Sequence, residues 1–216
     1  MTSEISNLPK QWTKDTALSF LSDHYDVSRE TCDKLSHYVS LLAKWQKSIN
    51  LVSGKTIADV WERHILDSAQ LISHLPKEPA NILDLGSGAG LPAVILAIMT
   101  DHNISMVESD TRKCAFMQTA LRETGAKATI HNTRLESLPF QDADIITARA
   151  FAPLDRLLEW TVPQHKEGQI FWLLKGKGVN EELTNVPVSQ KVVTEQYHSL
   201  VAGDGVILRL QREALS

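Results

Sequence analysis

Asp84, Gly86, Gly88 and Gly90 stand at alternate positions at the end of an apolar run that begins at Asn81. Glycines so spaced let a backbone approach a ligand closely, and a helix opening behind them offers unpaired N–H groups. About twenty residues on, Glu108 closes the next apolar segment, where a carboxylate can accept both hydroxyls of a ribose. Loop and acid together point to a cofactor of the adenosine type. A dinucleotide fingerprint would carry a third glycine where this chain has Leu91, so the nicotinamide reading is the weaker one.

Arg134, Arg149 and Lys175 each fall where a predicted strand ends, on the edge that carries the glycine loop. Positive charge there suits RNA phosphates, or for one of them a cofactor carboxylate. The alternative is an internal salt bridge, for instance Arg134 with Glu136 or Asp110. His64 and Asp67 share one face of a predicted helix and would pair with each other or hinge that helix onto the remaining fold. Cys114 lies near a helix start, where a thiol pKa can fall, yet no proline-cysteine pair surrounds it and it reads as a packed residue. Trp45 and Trp61 lie on apolar stripes and Trp172 inside a strand, so all three read as core. Phe151, just after Arg149 in a loop, is better placed to stack on a base taken out of its stack.

Two kinds of element must position these groups. Leu35, Tyr38, Val39, Leu42, Trp45 and Ile49 recur at helical spacing, as do Ile57, Val60, Trp61, Ile65, Ala69 and Ile72. Asn50 to Gly54 reads as the break between the two stripes, and Pro76 and Pro79 close this helical cap. After Ala80, strand-like runs at 82–85, 104–108, 128–131, 145–148 and 170–174 alternate with helix-like runs at 92–100, 113–123 and 154–161. That rhythm predicts a parallel sheet wrapped on both faces. Val192–Leu200 and Val206–Leu210 flank Gly203-Asp204-Gly205, which predicts an antiparallel hairpin at the end. The expected fold is α/β: a doubly wound, Rossmann-like sheet with a C-terminal antiparallel hairpin and an N-terminal helical cap. The expected division is 1–78 for the cap and 79–216 for the sheet domain.

Composition bounds the rest. With 43% hydrophobic and 22% charged residues in 216, the chain is globular rather than disordered. The apolar run Ala93–Met99 is too short to cross a bilayer, and Met1–Lys14 lacks the basic-then-apolar order of a signal peptide, so a cytoplasmic location is expected. Two cysteines, Cys32 and Cys114, exclude a disulfide scaffold, and without clustered histidines no metal is expected. A net charge of −4 does not suggest a nucleic-acid partner. Yet Arg112, Lys113, Arg122, Lys127 and Arg134 face only one acid, Glu123, in their stretch, which is a local basic patch or a solvated helix face. A monomer is expected.

Asp84 ahead of the glycines makes the form D-x-G-x-G-x-G, which resembles motif I of the class I S-adenosylmethionine-dependent methyltransferases; the final antiparallel hairpin is also their habit. Families that methylate exocyclic amines carry an Asn/Asp-Pro-Pro-Tyr/Phe loop after the fourth strand, and Thr147 to Pro153 here is not that loop. Carbon-5 methylation needs a nucleophilic cysteine. Guanine N7 has an in-plane lone pair and no proton, so attack needs alignment and charge stabilisation but no general base.

From Leu41 to Gly176 the chain resembles the RsmG (GidB) family of bacterial 16S ribosomal RNA guanine-N7 methyltransferases, which act in the 530 loop. The resemblance rests on Leu41–Trp45 with Asn50–Val52, Arg63–Ser68, Leu85–Pro92, Val107–Lys113, Arg134–Glu136, Arg149–Ala152 and Leu174–Gly176, in that order. It implies S-adenosyl-L-methionine as cofactor and 16S ribosomal RNA or the small ribosomal subunit as partner. It implies that Gly86 and Leu91, with Gly88 and Gly90 in the same loop, line the methionine end of the cofactor. Glu108 would hold the ribose, and Leu135 and Glu136 the adenine. Arg149 would touch the cofactor and face the target base; Arg134, Arg149 and Lys175 would meet RNA, and no residue is needed as a base. Ala93 and Gln46 depart from the usual family glycine and asparagine. The rival expectations are a methyltransferase of tRNA or a small molecule, and a non-catalytic RNA-binding assembly factor.

Overall fold

The structure, a computed structural model, describes residues 9, 11–190, 192–201 and 203–212. Most of the N-terminal segment read above for a leader lies outside these residues. The strands are β1 (Asn81–Leu85), β2 (Asn103–Val107), β3 (Thr129–His131), β4 (Ile145–Arg149), β5 (Ile170–Lys175), β6 (Val192–His198) and β7 (Val206–Arg212). They form one sheet in the order β3-β2-β1-β4-β5-β7-β6. β1 to β5 pair in parallel, while β7 lies antiparallel to both β5 and β6, as the glycine-flanked turn predicts.

Helices α4 (Ala93–Met99), α5 (Thr111–Thr124), α6 (Leu154–Trp160) and α7 (Val179–Thr184) connect the strands. α5 starts where the Asp110 carboxylate accepts from the Arg112 amide at 2.8 Å, and it stops at Gly125, whose φ of 70° few other residues adopt. Two apolar cores result. Leu154, Leu157 and Leu158 of α6 pack with Leu83, Ile146, Phe171 and Leu208 on one side of the sheet. On the other side α4 and α5 share a core with the cap: Leu35, Tyr38, Leu42, Ile65 and Ala69 pack with Val94, Phe116 and Met117. The cap is therefore cemented to the sheet through the helices that flank the glycine loop.

The cap contains α1 (Lys14–Tyr25) and α2 (Arg29–Trp45), whose first turn is closed by Ser28 accepting from Thr31 N–H at 3.1 Å. Gln46 ties the end of α2 to the following loop, accepting from the Leu51 and Val52 amides at 3.0 Å each and donating to Val52 O at 2.8 Å. The departure at Gln46 thus has a structural use. The stripe from Ile57 to Ile72 is not one regular helix: a π turn, Trp61–Leu66, runs into α3 (Asp67–Ala69) and then a 3₁₀ turn, Gln70–His74. At the end of the π turn Asp67 N–H donates to Glu62 O, five residues back, and to His64 O, bypassing the carbonyl of Arg63. That spared carbonyl is used by the site.

Candidate active site

The registers set Leu85 level with Val107 and Ala148, Arg149 with Leu174, and Lys175 with Val206. The residues that follow these positions emerge together at the carboxyl edge, where the strand order reverses about β1 and open sheets take their ligands. Gly86, Gly88 and Gly90 have φ of 62°, 57° and 78°, the left-handed region that favours glycine. Their surroundings differ. A Cβ on Gly90 would lie 2.3 Å from Val94 Cγ2 and one on Gly86 2.0 Å from Phe151 Cδ2, whereas one on Gly88 would meet only Gly86 O at 3.8 Å. Gly90 and Gly86 admit close packing; Gly88 leaves an open face.

Two side chains hold this loop. Glu108, 8% exposed, accepts from Gly88 N–H at 2.9 Å and from Asp110 N–H at 2.8 Å, so its carboxylate is fixed against the loop. Fully buried Tyr38, from α2, donates its hydroxyl to Ala89 O at 2.7 Å, and burial pushes its pKa upward. Beneath the loop, Asp84 Oδ1 accepts from Thr147 Oγ1 at 2.7 Å, while Oδ2 is buried with no hydrogen-bond partner. Burial pushes the Asp84 pKa up to about 7. An ammonium group against the loop would satisfy the orphaned oxygen, so the site fits the amino-acid end of S-adenosylmethionine. Leu91 is buried, Leu135 is buried on a 3₁₀ turn, and Glu136 beside it is exposed.

Arg149 ends β4 and is gripped by the cap. Its Nη1 donates to Arg63 O at 3.1 Å and to His64 Nδ1 at 3.0 Å, and lies 3.6 Å from Asp67 Oδ2. Because guanidinium nitrogens only donate, His64 Nδ1 accepts, and the ring proton sits on Nε2. Nε2 lies 2.9 Å from Thr56 Oγ1, whose own hydrogen goes to Ser53 O at 2.8 Å. Burial, then the Arg149 and Arg63 charges, push the His64 pKa down to about 3. Burial raises the Asp67 pKa while the same two arginines oppose the rise. His64 and Asp67 therefore do not pair with each other; both serve Arg149. Ala150, next in sequence, has a φ of 49°, backbone strain located at the site.

Beyond Arg149 a cavity of about 780 Å³ opens along the ends of β4 and β5, bounded by Arg63, Asp67, Phe151, Glu182 and the β6–β7 turn at Asp204. Lys175 turns inward, donating to Glu182 Oε2 at 2.6 Å and to Ala152 O at 3.0 Å. Arg134 is exposed and has no ion-pair partner among the described residues. Phe151 rests on Gly86 and meets Trp160 edge-on at 5.9 Å, at the junction of loop and cavity. Cys114 is buried, its thiol donates to Glu108 O at 3.3 Å, and burial raises its pKa, so it is no nucleophile. Trp61 and Trp172 are core residues, and Trp45 packs against Phe116. Ala93 is fully buried. Tyr38, Thr56 and Glu182 escaped the sequence reading: the first looked like one more apolar-stripe residue, and the other two carry no local pattern.

Among solved structures, two superpose with TM-scores of 0.59 and 0.58: a ribosomal protein L11 methylase from Lactobacillus delbrueckii and an S-adenosyl-L-methionine-dependent methyltransferase from Methanococcus maripaludis. They are 14% and 11% identical to this chain, cover 68% and 82% of it, and are themselves covered to 77% and 93%. Sheet order, glycine loop and carboxyl-edge cavity define a class I methyltransferase fold. The model of the family described as GidB, rRNA small subunit methyltransferase G, matches residues 31–209. Proteins named ribosomal RNA small subunit methyltransferase G from Paramagnetospirillum magneticum and Gluconobacter oxydans are 44% and 49% identical over 185 and 158 residues. These matches span 86% and 73% of this chain and 90% and 81% of theirs. The chain belongs to the GidB family.

Proposed function

We propose that the protein transfers a methyl group from S-adenosyl-L-methionine to N7 of a guanine in the 530 loop of 16S ribosomal RNA, acting in the cytoplasm as a monomer. The single observation that carries the chemistry is the state of His64. It is neutral, with Nδ1 committed to Arg149 and Nε2 to Thr56, so this histidine is not available to take a proton. Guanine N7 is a nucleophile that has no proton to lose. Membership of the family supplies the substrate class.

When bound, the cofactor supplies a methyl group on a sulfonium. The chain's own part is positional. Glu108, held by the Gly88 and Asp110 amides, would accept from the ribose hydroxyls, and Asp84 would accept from the cofactor's ammonium. Gly86, Gly88, Gly90 and Leu91 would line the methionine end, and Leu135 and Glu136 the adenine. Arg149, fixed by two acceptors and the Asp67 carboxylate of the cap, would steady electron-rich groups between cofactor and base without moving. Arg134 would meet RNA phosphate, with Arg149 and Lys175 on the base side. In this reading the cap, residues 1–78, is the clamp on Arg149, and residues 79–216 are the transfer domain.

A strain lacking the gene tests it. Its 16S ribosomal RNA should lose one chemical-cleavage stop for 7-methylguanine in the 530 loop, and the wild-type gene should restore it. An unchanged cleavage pattern would refute the assignment.

A further inference from the structure

Three carboxylates line the cavity: Asp67, Glu182 and Asp204. Asp67 has both oxygens engaged, Oδ1 by Gln70 Nε2 at 2.9 Å and Oδ2 by Arg149. Asp204 stands exposed in the turn between β6 and β7. Glu182 is arranged differently. Its Oε2 accepts from Lys175 Nζ at 2.6 Å and from Leu154 N–H at 2.9 Å, while Oε1 has no hydrogen-bond partner among the described residues. Donors from β5 and from the start of α6 thus pin the carboxylate by one oxygen and leave the other unpaired on a side chain that lines the cavity. Both pinning contacts are partly buried, and Lys175 is only 10% exposed, so the arrangement is built rather than a loose surface pair.

A fixed acceptor beside a purine site can read the base by its hydrogen-bond donors. Guanine carries two donors side by side on its Watson–Crick edge, N1–H and the 2-amino group; adenine has an acceptor at N1 and hydrogen at C2. N7 lies on the adjacent Hoogsteen edge, with its in-plane lone pair roughly perpendicular to the Watson–Crick edge. A guanine held at Glu182 by its Watson–Crick edge has its in-plane rotation fixed, so N7 faces along the cavity that Glu182 and Arg149 both line.

We propose, building on the guanine-N7 reading above, that Glu182 is the specificity-determining residue: its free oxygen accepts from the Watson–Crick edge of the flipped guanine and orients N7 for transfer. Lys175 is a positioning residue that holds Glu182, in place of a phosphate contact. Adenine offers the carboxylate a single donor, its 6-amino group, and sets the N1 lone pair beside it, so it is disfavoured against guanine, whose N1–H and 2-amino group both donate.

The test uses small subunits reconstituted with 16S ribosomal RNA that carries guanosine or inosine at the target, inosine lacking only the 2-amino group. The wild-type protein should prefer guanosine by about tenfold or more in kcat/KM, the range for one hydrogen bond to a charged group. In Glu182→Gln the amide oxygen can keep the Lys175 and Leu154 contacts while its nitrogen faces the base. Guanosine and inosine rates should then fall within about twofold of each other, with the KM for S-adenosylmethionine unchanged. A scaffolding role would slow both substrates equally and preserve the ratio, which overturns the proposal, as does a wild-type enzyme indifferent to the 2-amino group. If Glu182→Gln does not fold, Glu182→Asp keeps charge with a shorter reach and should lose part of the preference; an unaltered preference overturns the proposal. Failure of wild type to label either RNA refutes the underlying substrate reading instead, and the proposal falls with it.

Discussion

Asp84 ties the cofactor reading to a titration. Its side chain is fully buried, one oxygen is held by Thr147 and the other has no partner, and its pKa stands at about 7 against an ordinary 3.8. Three pKa units correspond to about 4 kcal/mol of cost for ionising the group in the empty fold. An ammonium placed at Oδ2 offsets that cost, so binding favours the ionised acid and releases the proton carried below pH 7. With one linked proton, the Kd for S-adenosylmethionine should fall about 15-fold between pH 5.5 and pH 7. Above pH 7 it should fall by no more than about a further twofold, where titration of the ligand's own amine, of ordinary pKa about 7.7–8.0, opposes the trend. His64, at about 3, is silent in that window. Calorimetry in buffers of different ionisation enthalpy counts the proton: close to one released at pH 5.5 to 6, about half at pH 7. Asp84→Asn should bind weakly and without slope. The sign for stability runs the other way. The unfolded acid ionises near 3.8 and the folded one near 7, so the cofactor-free protein loses stability as pH rises through that interval, and above it Asp84→Asn should be the more stable protein. A pH-independent wild-type Kd, or an equal Kd in Asp84→Asn, would refute the placement of an ammonium at this oxygen.

Gly88→Asp should abolish cofactor binding in calorimetry while circular dichroism stays intact, because the side chain enters the open face of the loop and adds only local strain at a positive φ; Gly90→Ala, driven against Val94, should instead cost about 1–3 kcal/mol in denaturant unfolding. Tyr38→Phe leaves Ala89 O without its buried donor. It should lower stability by about 1–3 kcal/mol and raise the KM for S-adenosylmethionine several-fold, with kcat within about twofold. Arg149→Ala should slow transfer by about an order of magnitude or more, the usual scale for one preorganised donor, without unfolding the protein. His64→Leu should lower kcat in the same direction, and His64→Asn, which keeps an acceptor near the Nδ1 position, should recover part of it.

The parts of this molecule legible in its sequence are those whose causes are local. Alternating apolar runs and helices state a parallel sheet, the Gly203–Gly205 turn states the hairpin, and three glycines before a helix state a ligand loop, because period and backbone freedom act over a few residues. The grip on Arg149 was not legible. His64 and Arg149 are 85 residues apart, and their contact depends on a π turn that spares one carbonyl, which apolar spacing does not encode. Reading Ile57 to Ile72 as a regular helix missed it for that reason. For Lys175 the sequence left an RNA or cofactor contact and an internal salt bridge both open. Its direction was decided by Glu182 on α7, a residue with no pattern of its own.

The most direct measurement is transfer of labelled methyl from S-adenosylmethionine by the purified protein to small ribosomal subunits taken from cells that lack it, with the label mapped by nucleoside digestion and by cleavage at 7-methylguanine. Label at a single guanine N7 in the 530 loop is the expected result. Cofactor binding without RNA labelling, or label on any other atom or loop, would contradict it.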